Sequence, residues 1–275
     1  MMATEQVPGI PGATISLVDN LPVELPGGEP AGPRIQAKPG QLLVVQPGAG
    51  VFLAQDGDRI EFTLEADADP GVVALILNGT ARGALIHQRG ELPLHAATLV
   101  PPGGDRAVAI CGPSGAGKST LAAELSRRGW ILVADDTTRV TWNDTYPLAW
   151  PSRDSIKLWR DACETAGIDT ADLERVMDNM EKFYVRVPAL DRPVRLGAIV
   201  ELSRDGERNC LSAGDKMALV SRNTYRPAHI RPLGVQGAHV RIVSQVASAC
   251  IVFRFTGDKS LSANELANKL EAAVA

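Results

Sequence analysis

The sequence has few aromatic residues and no excess of positive charge. Its 275 residues include five Phe, four Trp and three Tyr, and 28 Lys and Arg stand against 32 Asp and Glu, a formal charge of −4. A protein that coats nucleic acid needs a basic surface to displace counterions, and one that holds single strands needs aromatic platforms. The composition therefore argues against nucleic acid as a partner.

Cysteine is scarce, and long hydrophobic runs are absent. The start of the chain lacks the charged and apolar regions of a signal peptide, and no stretch reaches 18 uncharged apolar residues. The cysteines form no C-x-x-C pair and so suggest neither a zinc site nor a disulfide framework. They are Cys111, Cys163, Cys210 and Cys250. We expect a soluble cytoplasmic protein with reduced thiols and no membrane partner.

Short apolar runs separated by Pro and Gly fill the first 68 residues. Such runs predict strands joined by turns, here at 14–18, 41–46, 51–54 and 59–64. Asp69 followed by Pro70 is typical of a helix start, and the apolar stretch 72–87 predicts a buried helix. We expect a smaller N-terminal β-rich region over 1–68 and a larger domain over 69–275.

The larger domain alternates strand and helix patterns. Runs 92–100 and 106–111, joined by a Pro- and Gly-rich loop, predict an antiparallel pair. If Val100 faces Arg106, His95 lies opposite Cys111. Further strands are expected at 130–134, 196–202 and 250–255, and helices at 117–128, 152–166, 170–183, 213–223, 235–249 and 262–274, the last capped by Ser262 or Ser260. This alternation predicts an α/β fold with helices on both faces of a sheet.

Residues 112–119, GPSGAGKS, match the phosphate-loop pattern G-x-x-x-x-G-K-[ST] between a predicted strand and a predicted helix. Glycines let successive backbone N–H groups face a phosphate, and the helix adds its positive end. The lysine meets the terminal phosphates and the hydroxyl binds Mg²⁺. The predicted ATP-binding residues are Gly112, Ser114, Gly115, Ala116, Gly117, Lys118, Ser119 and Thr120. The alternative is a glycine-rich turn without a ligand.

Asp135 and Asp136 follow the predicted strand 130–134. Ligands of open α/β sheets bind beyond the carboxyl ends of strands, so both carboxylates are expected near the phosphates. Neighbouring strand residues point to opposite faces, which indicates different roles. One carboxylate can accept the proton of an attacking hydroxyl, and the other can hold Mg²⁺ through water. The alternative is a pair of turn or cap aspartates.

Three motifs in order resemble the HPr kinase/phosphorylase superfamily. They are Leu94-His95-Ala96-Ala97, the loop 112–120, and Val133-Ala134-Asp135-Asp136. Tyr146-Pro147 and Ile156-Lys157-Leu158-Trp159 make the chain most similar to HPr-kinase-related proteins encoded beside lasso-peptide biosynthesis genes. The resemblance implies a P-loop kinase core of the HPr-kinase C-terminal type and a kinase that phosphorylates a serine of a precursor peptide.

The same resemblance implies roles for individual residues. Lys118 and Ser119 bind ATP and Mg²⁺, Asp135 is the general base, Asp136 supports the metal, and His95 lies near the transferred phosphoryl group. The catalytic set is then Asp135, His95 and Lys118, with ATP and a peptide or protein as partners, and self-association is expected because the parent family forms hexamers. A glycine-rich run resembling E-I-R-G-L-G, tied there to phosphorylase activity and HPr docking, is absent after the aspartates.

Two other functions fit the same loop: a nucleotide-dependent ATPase switch and a kinase of a small molecule. Arginines in turn-rich segments could clamp ATP or an acidic peptide, although most should be solvated: Arg186, Arg192, Arg195, Arg226 and Arg231. A structural role is expected for His87, His229 and His239, which lack partners at metal-ligand spacing.

Overall fold

The computed structural model describes residues 4–203, 211–256 and 261–274, so Cys210 and Ser260 lie outside the described residues. It shows a mixed α/β protein with several sheets. By its contacts the chain divides into two units, and both are discontinuous in sequence. The first comprises the described residues up to Pro93 together with 177–179 and 225–242, and the second comprises the rest.

The first unit is built on a seven-stranded sheet in the order β1-β2-β7-β6-β5-β4-β3. Its strands are β1 (Thr4–Gln6), β2 (Thr14–Leu17), β3 (Glu29–Gly32), β4 (Ile35–Lys38), β5 (Gln41–Gln46), β6 (Gly50–Gln55) and β7 (Arg59–Leu64). All neighbours pair antiparallel except β2 and β7, which run parallel. The four predicted strands of this region are confirmed, and the short β1, β3 and β4 were not expected.

One nearly continuous helical stretch follows: α1 (Pro70–Leu75), a π-helical turn (Ile76–Ala81) and α2 (Arg82–Gln88). The Asp69 side chain caps α1 by accepting from the N–H of Gly71 at 2.8 Å. The π-helical turn lies where Gly79 and Gly83 pack so close to Tyr225 that a Cβ at either would stand 3.0 Å from it. The stretch shares a core with the strands, which is why the unit reaches past the predicted boundary at residue 68.

The second unit contains most of the remaining elements, with β8 (Leu92–Leu94) at the boundary between the units. The strands are β9 (Ala96–Val100), β10 (Arg106–Cys111), β11 (Ile131–Ala134), β12 (Thr138–Trp142), β13 (Pro147–Trp150), β14 (Ser155–Trp159), β15 (Lys182–Arg186), β16 (Val194–Ser203) and β17 (Ile251–Thr256). The helices are α3 (Lys118–Arg127), α4 (Arg160–Thr165), α5 (Ala213–Arg222), α6 (Gln236–Ala249), which begins in the first unit, and α7 (Ala263–Val274). Pro227–His229 forms a 3-10 turn in the first unit.

The main sheet of the second unit brings several strand ends to one edge. Strands β10, β16 and β17 are parallel neighbours. Strand β9 runs antiparallel to both β10 and β11, so β11 is parallel to β10. The carboxyl ends of β10, β11, β16 and β17 and the start of β9 therefore meet at this edge.

Two of the predicted helices are wrong. Residues 152–166 contain strand β14 before the short helix α4, and 170–183 hold turns before strand β15, with which β14 pairs antiparallel. Residues 155–159 form a strand because buried and less buried side chains alternate along them. Ile156 and Leu158 are buried in the core that also contains α3, whereas Lys157 and Trp159 are not buried. The other helices predicted in this unit are present, and Ser262 caps α7.

The register of the predicted strand pair is shifted by one residue. Cys111 faces Ala96, not His95. The predicted strand 92–100 is interrupted at His95, whose backbone N–H donates to the carbonyl of Asn223 at 2.7 Å. His95 therefore stands just before β9, at the level where the glycine-rich loop leaves β10. No helix among the described residues has the length and apolarity to cross a bilayer.

Candidate active site

The loop at 112–117 connects β10 to α3 through positions that need glycine. Gly112, Gly115 and Gly117 have φ angles of 138°, 75° and 90°, which L side chains rarely adopt. A Cβ on Gly112 would also stand 2.8 Å from the carbonyl oxygen of Leu202. Such glycines let the backbone turn its N–H groups inward, the geometry that phosphate-binding loops use.

Helix α3 begins at Lys118, so the N–H groups of its first turn have no intrahelical partner and carry the positive end of the helix dipole. The Lys118 Nζ lies over the loop and donates to the carbonyls of Gly112 (2.8 Å) and Pro113 (3.2 Å). Burial lowers the pKa of Lys118. The hydrogen bonds that the described residues show for this ammonium go to neutral carbonyls, and phosphate oxygens would be stronger acceptors, so the position suits an anion bound at the loop.

Asp135 contacts the first turn of helix α3. The Ser119 hydroxyl donates to its Oδ1 at 3.3 Å, and the backbone N–H of Lys157 donates to its Oδ2 at 2.9 Å. Burial raises the pKa of Asp135, although the Lys157 N–H opposes that shift. A carboxylate with a raised pKa next to a candidate metal-binding hydroxyl is suited to accept a proton or to join a metal shell.

Asp136 is held by a different set of contacts. Its Oδ2 accepts from the Lys157 Nζ at 3.0 Å, and its backbone has a left-handed φ of 69°. For a residue other than glycine such backbone costs about 1–3 kcal/mol and is often found at functional sites. Burial alone would raise the pKa of Asp136, but the ion pair with Lys157 brings it below the usual value. Asp136 is therefore a carboxylate kept ionised.

His95 also contacts this aspartate. Its Nδ1 lies 2.8 Å from the backbone carbonyl oxygen of Asp136 and 3.7 Å from its Oδ1. A carbonyl only accepts, so Nδ1 carries the proton, and in the neutral ring Nε2 is the basic nitrogen. Burial and the nearby Lys118 charge lower the pKa of His95, which favours that neutral ring.

A buried polar network supports the base of the loop. The Asn223 Oδ1 accepts from the N–H of Gly112 at 3.1 Å, and its Nδ2 donates to Glu201 at 2.8 Å. Glu201, on the strand beside β10, also pairs with Arg222 and Arg254. Burial would raise the pKa of Glu201, yet these donors bring it below the usual value. Asn223 thus contacts the loop and, through its backbone carbonyl, His95.

The structure brings together the residues predicted from the motifs: the loop 112–119, His95, Asp135 and Asp136 share one edge. Sequence reasoning missed Lys157, Glu201 and Asn223. The sequence does contain an indication for Lys157, because it alternates with the apolar residues Ile156 and Leu158 as in a strand. Glu201 and Asn223 have no such local indication, because they lie far from the motifs in sequence. Thr120 lies in α3, and Ser114 and Ala116 lie within the loop.

The remaining candidates are dispersed. Arg226, Arg231 and the three other histidines belong to the first unit, and Arg195 stacks on Tyr146 at 5.0 Å. Cys111 is fully buried, and burial raises the pKa of its thiol, which disfavours a reactive thiolate. Among the described residues no group of three or more His, Cys, Asp or Glu is arranged as a metal cage. Mg²⁺ is commonly held by one or two carboxylates plus substrate phosphates and water, a donor set that Ser119, Asp135 and Asp136 can complete.

A solved Hpr(Ser) kinase/phosphatase from Coxiella burnetii resembles this chain with a TM-score of 0.30 and 20% identity, over 41% of this chain and 66% of that one. The chain thus spans slightly less than two thirds of that protein. No family model and no curated protein matches the chain.

Proposed function

We propose that the protein is a Mg-ATP-dependent kinase of the HPr kinase superfamily type, which transfers the γ-phosphate of ATP to a serine hydroxyl of a peptide or protein. The motif resemblance points to a lasso-peptide precursor as the acceptor. The observation that carries the proposal is the contact of Ser119 with Asp135, beside Lys118 and His95, because phosphoryl transfer needs a metal-binding hydroxyl, a cation and a proton acceptor in one place.

ATP would lie along the loop, with its terminal phosphates on Lys118 and on the N–H groups at the start of α3. Ser119 and Asp136 would hold Mg²⁺, which would supply positive charge to neutralise the phosphate oxygens. Asp135 accepts the proton of the attacking serine hydroxyl. The contact of Asp135 with Ser119 also supports a second role for Asp135, as a ligand of the metal. The two roles can be told apart, because loss of a metal ligand raises the Mg²⁺ concentration that activity requires and loss of the proton acceptor does not.

His95 binds and orients in this scheme. Its Nδ1–H is fixed by the Asp136 carbonyl, so Nε2 can face the transferred group. Lys157 keeps Asp136 ionised and in place. The catalytic groups are therefore Lys118, Asp135 and His95, with Lys157 as a positioning residue.

The test is intact-mass analysis of serine-containing precursor peptides incubated with the protein, ATP and Mg²⁺. The proposal predicts a product heavier by one phosphate that disappears with Lys118→Ala. Hydrolysis of ATP without any labelled acceptor would favour a nucleotide-dependent switch, and labelling of a small alcohol alone would favour a small-molecule kinase.

A further inference from the structure

The outer face of the β14–β15 hairpin is a basic and aromatic surface next to the candidate active site. Cross-strand pairs align Ser155 with Arg186, Lys157 with Tyr184, and Trp159 with Lys182. The intervening residues Ile156, Leu158, Phe183 and Val185 are buried in the core of the second unit. Side chains alternate along a strand, so the residues of the three cross-strand pairs share the face away from this core. We call this the hairpin face, and it comprises Ser155, Lys157, Trp159, Lys182, Tyr184 and Arg186.

Cations dominate the hairpin face. Lys157, Lys182 and Arg186 lie on it, and the guanidinium of Arg153, just before β14, stands 5.3 Å from the ring of Tyr184. Lys157 is paired with Asp136. Across the described residues no carboxylate lies within ion-pair distance of Lys182, Arg186 or Arg153.

The acidic residues at the ends of the hairpin do not cancel this charge. Glu181, just before β15, is already paired with Arg160 and Arg175. Asp154 is exposed next to Arg153 and offsets one charge. Among the described residues, the hairpin face therefore carries more cations than paired carboxylates, with Asp135 and Asp136 near Lys182 at its inner end and Asp161, Glu164 and Glu181 near Trp159 at its outer end.

The same face offers flat apolar surface. The Trp159 side chain is 51% exposed, and the Lys182 Nζ stands 5.4 Å from its ring. Tyr184 lies between Lys157 and Arg153. Rings flanked by cations suit an extended peptide whose carboxylates pair with the cations while its apolar atoms pack on the rings.

The hairpin face also leads to the reacting groups. Lys157 contacts Asp136 through its side chain and Asp135 through its backbone. Lys182 interacts electrostatically with both aspartates. A peptide bound along this face would present a hydroxyl to Asp135 at its inner end.

We propose that the hairpin face binds the acceptor, and that the acceptor is a peptide segment with Asp or Glu close to its phosphorylated serine. This inference rests on the proposed kinase function for its biological meaning, but the binding itself can be measured without any transfer.

The first experiment measures binding by fluorescence anisotropy with labelled peptides in which alanine replaces serine. An Asp- and Glu-rich peptide is compared with a Lys- and Arg-rich peptide of equal length. The acidic peptide should bind the wild-type protein, more weakly as salt rises, and the basic one should not. Equal binding of the two, or binding of neither, overturns the proposal.

Variants locate the surface. Arg186→Glu and Trp159→Ala should each weaken binding of the acidic peptide, the charge reversal by about tenfold. The matched control Arg241→Glu reverses an exposed charge on α6 in the first unit and should leave binding unchanged. Thermal unfolding confirms that each variant is folded. Equal effects of Arg186→Glu and Arg241→Glu contradict the proposal.

Two further arms separate the possible occupants. Affinity for ATP should be unchanged in Arg186→Glu, and a tenfold loss there with peptide binding intact would assign the face to the nucleotide. A single-stranded oligonucleotide that displaces the peptide at lower concentration than unlabelled acidic peptide would assign it to nucleic acid. If acidic peptides bind as predicted but no serine peptide is ever phosphorylated, the kinase proposal fails and the binding surface stands.

Discussion

The side chain of Asn223 accepts a hydrogen bond from the backbone N–H of Gly112, the first glycine of the loop, at 3.1 Å. Its Nδ2 donates to Glu201, so the orientation of the amide is fixed by one hydrogen-bond donor and one acceptor. Asn223 ends helix α5, and its backbone carbonyl accepts from His95. One residue thereby joins the loop, the histidine and the sheet.

Replacing Asn223 should damage nucleotide binding without unfolding the protein. Asn223→Ala leaves the Gly112 N–H and part of Glu201 without a partner, which costs about 1–3 kcal/mol. Asn223→Asp keeps an acceptor for Gly112 but sets a second carboxylate against Glu201, and should be at least as harmful. Nucleotide affinity and thermal unfolding measure both effects, and wild-type affinity in Asn223→Asp would refute this role.

Asp135 and Asp136 should respond differently to neutralisation. Asp135→Asn should lower kcat by about 10²–10⁴ with little change in ATP affinity, because it removes the proposed proton acceptor. Asp136→Asn should raise the Mg²⁺ concentration needed for half-maximal rate. Magnesium titrations of both variants make the comparison. If Asp135→Asn instead shows the larger magnesium shift, Asp135 belongs to the metal shell.

Removal of Lys157 should reduce the rate through Asp136. In Lys157→Met the carboxylate of Asp136 loses its ion pair, but it is 38% exposed, so the stability cost should be only about 1 kcal/mol. The rate should fall more than stability does, and Lys157→Arg should restore part of it by keeping the positive charge. A rate in Lys157→Met equal to that of the wild type would exclude a positioning role.

Acid should destabilise the first unit through three buried histidines. The ring centroids of His229 and His239 lie 6.2 and 6.4 Å from that of His87. Burial lowers the pKa of His87 to about 4 and that of His229 to about 3, and also lowers the pKa of His239. The Arg226 charge adds to the shift at His229.

The sign of the effect follows from these directions. A histidine whose folded pKa is depressed binds a proton more readily when unfolded, so its stabilisation is complete above an unfolded pKa of about 6.5 and is lost as pH falls toward the folded values. Stability should fall by up to about 1.4 kcal/mol per pH unit for each histidine. Denaturant unfolding between pH 7 and 4 measures the slope, which His239→Gln should reduce. A slope unchanged by that substitution would contradict the prediction.

Local patterns predicted the parts of the fold that local chemistry determines. The loop at 112–119, its flanking strand and helix and the Asp69 cap depend on adjacent residues, and the structure has them as expected. The helices predicted at 152–166 and 170–183 were wrong because Lys157 and Glu181 lie among residues with helix-forming composition. The feature that decides the structure is instead the burial of Ile156 and Leu158 against α3. Only tertiary packing reveals that feature.

The candidate site shows the same division. His95 was placed near the loop with a register off by one residue, because the strand breaks where its N–H binds Asn223. Asn223 was missed because its contact with the loop spans 111 residues of sequence, and Glu201 was missed because it reaches the loop only through Asn223, 22 residues away. Likewise, nothing local shows that 225–242 joins the first unit.

Helix α7 has a consequence for how the protein is made. Arg128, at the end of the loop helix α3, bonds to Asn264, Asn268 and Glu271 of α7, and the Trp130 indole also donates to Glu271. Strand β17 likewise pairs with β16 beside the loop strand. During synthesis the ribosome delivers the loop well before these partners, so the proposed nucleotide affinity should arise in the nascent chain only after α7 has emerged.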